Sequence, residues 1–521
     1  MPSETFNDFS GGWSGTLDLA KVPRNMWDGR NVIIYRDGSI GPRPGLKAWD
    51  IGRTISDKVW GVVFTGSGSA FAQMIFYIDG NTVYGTHENQ DGVDEGSFGT
   101  LSDTPTFRIN MVSPIDNVML IPDTNQAGPN DFYFQKGEAN IVNMNQDGGP
   151  AATIYGVRVI RGQISTAAEA RIFYSDPADE TSWPALNFIE LPALLTIVAF
   201  MAPVKNGLIL VTTNNQWFLL TGVPGVNDVL RKLPVPRGRM GSPLFSYIQD
   251  NDDTIFYLSS DSNSVASFDG SVHRAFSYLT MTPEDPQQFY HLDVDFPDTI
   301  VTSVNGAEHS PGFIIANGPL LGGFVNRLLL RHNGAWALHD FDKTLTEMWS
   351  YNYQGRLFGF ALDESDNDDP VCLDFNLNRP AFTSDTHAQP GDLTTTPLEA
   401  EFTLPETWSP DSDFLRVNEV VLEVKKFDTG APVDNRVQVT VESLARGLND
   451  SVADGTQTKT WTEAGSSGAD DFIGTPDRIR FTFGEQGAGG GYRVRVHGLR
   501  GVAVRSITVN SKPEQGNQRV Y

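Results

Sequence analysis

Between about residues 58 and 378, apolar positions come in short paired runs, each pair split by turn residues and followed by a polar gap. In VWGVVFTG…FAQMIFYIDGNTVYGTHE, Asp79-Gly80 sits where the chain must reverse, and an Asp-Gly between apolar runs is a strong hairpin signal. The same unit returns as NVMLIPDT…NDFYFQKG, as ARIFYSDPADETSWPALNFIEL, and as NGLILVTTNNQWFLLTG around Asn214-Asn215. It returns again as DTIFYLSSDSNSVASFDGSVHRAFS with a turn at Asp269-Gly270, and as GFIIANG…NRLLLRHNGAWALHDF with turns at Asn317-Gly318 and Asn333-Gly334. QGRLFGFALDESDNDDPVCLDF is the last of them. Starts fall roughly every 40 to 60 residues, which is the rhythm of propeller blades. One β-sandwich would not need so many units.

From Pro397 onward the texture changes. LEAEFTL, NEVVLEVKKF, RVQVTVESL, RIRFTFG, YRVRVHGL and VAVRSITVNS alternate polar and apolar residues with period two. That is the pattern of antiparallel strands with one face in the core and one in water. The expected fold is therefore all-β: a β-propeller of about six to eight blades followed by a C-terminal β-sandwich. The expected domains are an arm with the first strands closing the propeller at 1–57, the propeller at 58–395 and the sandwich at 396–521, with the polar stretch Thr383 to Thr396 as the link. Helical periodicity is sparse, and short helices are expected only near Met26 to Arg30 and around Pro283 to Gln288.

Composition agrees with burial in sheets. Hydrophobic residues make up 39% of the chain and charged residues 20%, with Phe at 32 and Trp at 10. Such aromatic bulk favours strands. Cys372 is the single cysteine, so neither an internal disulfide nor a cysteine-based zinc site can form. MPSETFNDFSGG lacks the basic start and apolar core of a signal peptide, and the longest apolar stretch, Ala193 to Val204, is too short to span a bilayer. The expectation is a protein made and assembled in the cytoplasm, with no membrane partner.

The formal net charge is −26, which disfavours adhesion to nucleic acid or anionic lipid. An acidic wall suits a channel through which DNA slides without sticking, and equally it suits plain solubility. Beyond Arg478 the balance shifts, with Arg493, Arg495, Arg500 and Arg505 close together. That basic face reads either as a docking surface or as a solvated strand face.

Candidate chemistry is thin. His291, Asp293 and Asp295 in HLDVDF alternate with Leu292, Val294 and Phe296, so on a strand the three would share one face, as a metal site could use. A solvent-facing strand edge accounts for the same spacing. DESDNDDP, from Asp363 to Pro370, packs five carboxylates into a loop but lacks the mid-loop glycine and spaced glutamate of an EF-hand. SDPADETSW, from Ser175 to Trp183, loosely resembles the Asp box of sialidase-type propellers, without its glycine and with the tryptophan one residue too far along. An Asp box is itself a structural turn. In GEQGAGGG, from Gly484 to Gly491, a strand follows where a dinucleotide fold needs a helix, so it reads as a hairpin loop. P-loop, HExxH and GxSxG signatures are missing, and no Ser/His/Asp set stands out. No catalytic residue, cofactor site or metal is assigned, and the chain is expected not to be an enzyme.

The most informative segment is FSGGWSGTLDLAKVPRNMWDGRNVIIYRDGSIGPRPGLK. It resembles the opening of tail nozzle and head-tail hub proteins of podophage-type bacteriophages, in which a Gly-Gly start precedes an N…DG.I..RPG ending. The matching positions are Gly11, Gly12, Asp18, Pro23, Asn25, Asn31, Asp37, Gly38, Arg43, Pro44 and Gly45. NNQWFLLTG and RIFYSDPADETSW look like blade segments of that family, and VHGLRGVAVRSITV like its closing sandwich strands. The resemblance implies a structural protein of the virion tail: a homo-oligomeric ring, a hexamer, around the channel for DNA ejection. It also implies adjacent tail or head-tail adaptor proteins as partners, and genomic DNA passing without specific binding.

Two other classes compete with that reading. A carbohydrate-binding or glycan-degrading tail propeller would need an aromatic pocket with two or more carboxylates, for which Trp183, Trp217 and Trp336 are the candidates. A cellular scaffold propeller would carry a repeat-specific signature, and none is visible.

Overall fold

The computed structural model of the 521-residue chain describes residues 3–13, 24–35, 37–43, 47–49, 59–64, 74–87, 94–101, 104, 111–112, 118–120, 131–135, 140–147, 151–162, 169–194, 196, 198–212, 214, 216–235, 247–249, 254–259, 264–270, 273–275, 300–306, 309–316, 327–332, 335–340, 344–350, 356–363, 369–376, 400–409, 414–426, 435–444, 455–462, 478–483 and 490–514. All regular structure among them is strand, and the fold is a β-propeller followed by a β-sandwich. Met26–Arg30, expected as a short helix, is a strand. Three strands hold it extended: Glu401–Thr403 runs antiparallel on one side, and Gly12–Trp13 and Ala335–Asp340 run parallel on the other. The expected helix around 283–288 lies outside the described residues.

Seven antiparallel sheets among the described residues form the blades. Blade 1 is Val59–Phe64, Met74–Asp79, Thr82–His87 and Asp94–Thr100; blade 2 is Val118–Leu120, Asp131–Gln135 and Val142–Asp147. Blade 3 is Ala152–Tyr155, Arg158–Gly162, Glu169–Tyr174 and Phe188–Leu194; blade 4 is Val198–Val204, Gly207–Thr212, Trp217–Thr221 and Val229–Leu233. Blade 5 is Tyr247–Gln249, Ile255–Ser259, Ser264–Phe268 and His273–Ala275; blade 6 is Ile300–Gly306, His309–Ala316, Arg327–His332 and Ala335–Asp340. Blade 7 is Thr344–Ser350, Arg356–Asp363 and Asp369–Asn376, with Lys47–Trp49 from the N-terminal segment as its fourth strand. Each apolar unit of the sequence falls in a different blade.

Local chemistry explains the turns. In blade 1, Asp79 pairs with Thr82, so the two loop residues are Gly80 and Asn81, and Gly80 takes a φ of 61°. Glycine at the first loop position of a two-residue hairpin permits the tight turn that matches strand twist. Gly207–Thr212 is buried at every position, and Trp217–Thr221 at all but its last. One side of these strands packs on Ile160, Ile172 and Leu191 of blade 3, and the other on Ile255 and Phe268 of blade 5. A sheet covered on both faces needs an unbroken apolar run, not an alternating one.

The sandwich has two sheets. One is ordered Arg478–Thr482, Phe414–Lys426, Val502–Glu514, Ile40–Pro42 and Val32–Ile34, with Ser3–Phe6 also on Val502–Glu514. The other is ordered Thr456–Thr462, Arg436–Leu444, Gly491–Arg500, Glu401–Thr403 and Met26–Arg30. Arg436–Leu444 alternates buried and half-buried at every step, and its Val437, Val439 and Val441 face the core with Val420, Leu422, Val504 and Ile507. Gly501, with a φ of 57°, turns the chain from one sheet into the other. The N-terminal segment therefore divides: Ser3–Pro42 supplies strands to the sandwich and Lys47–Trp49 to the propeller.

The second sandwich sheet does not stop at Met26–Arg30. Leu338, in the outer strand of blade 6, pairs with Arg30, so blade 6 and the sandwich share one hydrogen-bonded sheet of eleven strands.

Candidate functional site

The best-built polar constellation among the described residues lies where the N-terminal segment meets the sandwich. Glu4, on the first strand, accepts from the Thr407 hydroxyl at 2.6 Å and the Tyr492 hydroxyl at 2.9 Å on one oxygen. Its other oxygen lies 3.0 Å from the Arg24 guanidinium. Arg24 also donates to Thr407 Oγ1 at 3.1 Å and lies over the Phe6 ring. Burial, with the Glu4 carboxylate beside it, raises the Tyr492 phenol well above its usual pKa, so it stays a donor.

Glu401 continues the seam. It binds Arg30 at 3.1 Å and also pairs with Arg495, while Arg493 pairs with Glu406 and, at 3.2 Å, with Glu442. Beneath these ions, Trp27 is fully buried against Phe402, with centroids 6.5 Å apart, and donates its indole N–H to the Phe9 carbonyl. The arrangement pairs each carboxylate with a fixed cation. It can hold strands together.

These contacts place the C-terminal arginines. Arg493 and Arg495 are spent on Glu406, Glu442 and Glu401 within the sandwich, and Arg480 pairs with Glu419 at 3.0 Å. Arg493, Arg495 and Arg500 lie on Gly491–Arg500 in one sheet, and Arg505 is exposed on Val502–Glu514 in the other. The four arginines read together in the sequence thus do not form one basic face.

The matching positions of the N-terminal segment hold the chain's corners. The Gly11 N–H donates to the Asn25 carbonyl and the Gly12 N–H to the Phe9 carbonyl, with Gly12 at a φ of 76°. Asn31 has a φ of 59°, and its carbonyl accepts from the buried Arg43 N–H. Asp37 accepts from the Ser39 hydroxyl at 2.5 Å and from Lys425 at 3.1 Å. Burial alone would raise the Asp37 pKa, yet the hydrogen bonds from Ser39 and Lys425 hold it below the usual carboxylate value. Asp18, Pro23, Pro44 and Gly45 lie outside the described residues.

One end of blades 3 and 4 carries a second feature. Asp176 accepts from Ser182 Oγ at 2.5 Å and Asn187 Nδ2 at 3.2 Å, and Trp183 donates to the Glu180 carbonyl at 2.8 Å. The Ser175–Trp183 loop is thereby a self-bonded turn, with Arg161 over the Trp183 ring at 5.0 Å. Beside it, the loop 222–228 is tied by Val223 N–H to Asn227 and by Gly225 N–H to Asp228, and to blade 3 by the Tyr155 hydroxyl on the Gly222 carbonyl. This rigid loop leaves Val226 75% exposed, and Leu186 of the neighbouring loop is 83% exposed.

The remaining sequence candidates separate. His291, Asp293 and Asp295 lie outside the described residues, as does most of the 363–370 acidic loop and of the 484–491 glycine loop. Trp217 is buried against Phe268 between blades 4 and 5, at 5.7 Å between centroids, so it cannot line an open glycan pocket with Trp183. Among the described residues no group of three His, Cys, Asp or Glu could hold a metal ion. No described helix is long and apolar enough to cross a membrane. Sequence reasoning missed Glu4, Arg24, Glu401 and Glu406, because nothing in their local sequence marks partners as distant as Thr407 for Glu4 and Arg24, Arg30 for Glu401 or Arg493 for Glu406.

No protein-family model and no curated protein matches the chain. Solved β-propeller structures are similar to it. Virginiamycin B lyase from Staphylococcus aureus, crystallised with quinupristin, is 13% identical, with a TM-score of 0.40 over 63% of this chain and 98% of that one. YCF48 bound to a D1 peptide is 10% identical, with a TM-score of 0.38 over 64% of this chain and 98% of that one. Hsv2 from Kluyveromyces lactis is 8% identical, with a TM-score of 0.34 over 61% of this chain and 97% of that one. Likenesses at this level carry no argument about activity, ligand or partner.

Proposed function

We propose that the chain is a non-catalytic structural protein of a bacteriophage tail, a nozzle or hub, that assembles into a closed ring as part of the DNA-ejection conduit. One observation carries the reading: the described positions through which the N-terminal segment resembles that family are corner-makers. Gly11, Gly12, Asn31, Gly38 and Arg43 shape the backbone that seats this segment in the sandwich ahead of the strand completing blade 7. Residues whose part is backbone geometry fit a framework component better than a catalyst. The net charge of −26 adds support, since Arg480, Arg493 and Arg495 are paired with glutamates and an acidic surface lets DNA pass.

A closed ring requires two different complementary faces on each subunit. The apolar loop end of blades 3 and 4 and the charged sandwich are chemically distinct enough to serve. The test is the mass of the purified protein by light scattering across a concentration series, with negative-stain imaging of the largest species. Rings with a central hole, of hexameric mass, and no retention on DNA at physiological salt are the expected result. A species that stays monomeric at every concentration and binds or cleaves a bacterial surface glycan overturns the proposal.

A further inference from the structure

We infer that residues 3–49 act as one strap locking propeller and sandwich into a single cooperative body, so that the covalent connection between the two modules is not what holds them together. This lock does not depend on the proposed function. The strap contributes strands to three places. Ser3–Phe6, Val32–Ile34 and Ile40–Pro42 enter one sandwich sheet, Met26–Arg30 enters the other, and Lys47–Trp49 completes blade 7. Along its course it also touches blade 6: Arg30 pairs with Leu338, and Ala337 of that strand is buried in the sandwich core with Trp27 and Phe402.

The contacts are close and dry. A Cβ on Gly29 would lie 2.2 Å from the Glu401 carbonyl oxygen and 2.6 Å from the Phe402 Cα, and one on Gly41 would lie 2.7 Å from the Ala503 Cβ. Backbone approaches this tight admit only glycine, so strap and sandwich were shaped against each other. Phe6, Phe9, Trp27, Val32, Ile34 and Ile40 of the strap all belong to the sandwich core. Removing the strap would open that core and leave blade 7 without its outer strand, an open edge that propellers avoid. Neither module closes without it.

The strap also spans the whole chain in time. Ser3–Phe6 pairs with Ile507–Asn510, so the first strand made waits for the last. The sandwich is therefore completed only after synthesis of the C-terminal strands, whereas Lys47–Trp49 needs no residue beyond Asn376 to complete blade 7.

The experiment is a nick. A protease recognition sequence with flexible spacers is inserted between Thr394 and Thr395 of the full chain, and cleavage is confirmed on a denaturing gel. The nicked protein is expected to run in native size-exclusion as one species containing both fragments. Separation of the fragments overturns the inference. In the nicked Gly29→Val protein, the two fragments are expected to elute apart, and continued association would equally overturn it. If Gly29→Val does not accumulate, thermal unfolding of the intact wild type decides. A single transition, coincident by circular dichroism and tryptophan fluorescence, is expected, whereas two separate transitions sink the idea.

Discussion

Blades 3 to 5 and the strap-sandwich seam both exclude water, but they do so with opposite kinds of sequence. Between blades, dryness comes from continuous apolar runs such as Gly207–Thr212 and Trp217–Thr221, packed on neighbours within a few tens of residues. At the seam, dryness comes from one alternate face of each strand, while the other face carries Glu4, Glu401, Arg493 and Arg495 in compensated pairs, with Arg24 reaching Glu4 from the turn before Met26. The first arrangement assembles locally. The second cannot form until the chain's two ends meet. Matching perturbations in the two regions therefore have unequal reach.

The largest effects should come from the two buried tryptophans. Trp27→Ala and Trp217→Ala each remove a ring from a dry core, and each should lower stability in urea titration by about 3–5 kcal/mol. Their difference lies in the nicked protein: Trp27→Ala should weaken the hold between fragments, and Trp217→Ala should leave them joined. Equal behaviour of the two would erase the contrast.

Next in size is Glu401→Ala, which removes the carboxylate that Arg30 and Arg495 share and should cost about 1–2 kcal/mol at low salt. The loss should shrink in 1 M salt for the exposed part of the pair, whereas the tryptophan losses should not. A comparable cost of about 1–2 kcal/mol is expected in the propeller for Gly225→Ala, whose φ is 77° and whose Cβ would lie 2.3 Å from the Tyr174 hydroxyl. That loss should be insensitive to salt, and thermal unfolding at two ionic strengths distinguishes the pair.

Asp37→Asn should cost about 1 kcal/mol or less near neutral pH. The folded carboxyl titrates below its unfolded value, so its contribution is present above about pH 4 and is lost as pH falls through the folded pKa. Wild type and Asp37→Asn should therefore converge in acid, and a gap that widens there would contradict the assigned hydrogen bonds. Smallest of all is Glu190→Ala on blade 3, where the exposed pair with Arg171 should be worth less than about 0.5 kcal/mol by thermal unfolding.

The repeated hairpins are legible in the sequence because their signals are local: apolar runs of strand length and turns such as Asp79-Gly80. Even there the loop is Gly80-Asn81, since pairing register and not the dipeptide decides which residues turn. Met26–Arg30 went the other way. Five residues are too few for their own pattern to separate helix from strand, and neighbouring strands brought from residues 12–13, 335–340 and 401–403 make them extended. The candidate site was less legible still. The arginines beyond Arg478 looked like one basic face because sequence shows charges and not their partners. Arg493, Arg495 and Arg480 meet glutamates that lie between about fifty and a hundred residues away.

By itself the sequence determined the all-β class, the blade rhythm, the change to alternating strands after Pro397 and the acidic charge, because period and composition act over a few residues. Only tertiary structure decided that the N-terminal segment serves both modules, that blade 6 runs on into the sandwich, and which carboxylate each arginine meets. Those outcomes depend on bringing residue 4 beside residue 492, and residue 30 beside residue 338. The cost of closing such loops grows only slowly with length, so neither pairing leaves a mark in the residues that make it.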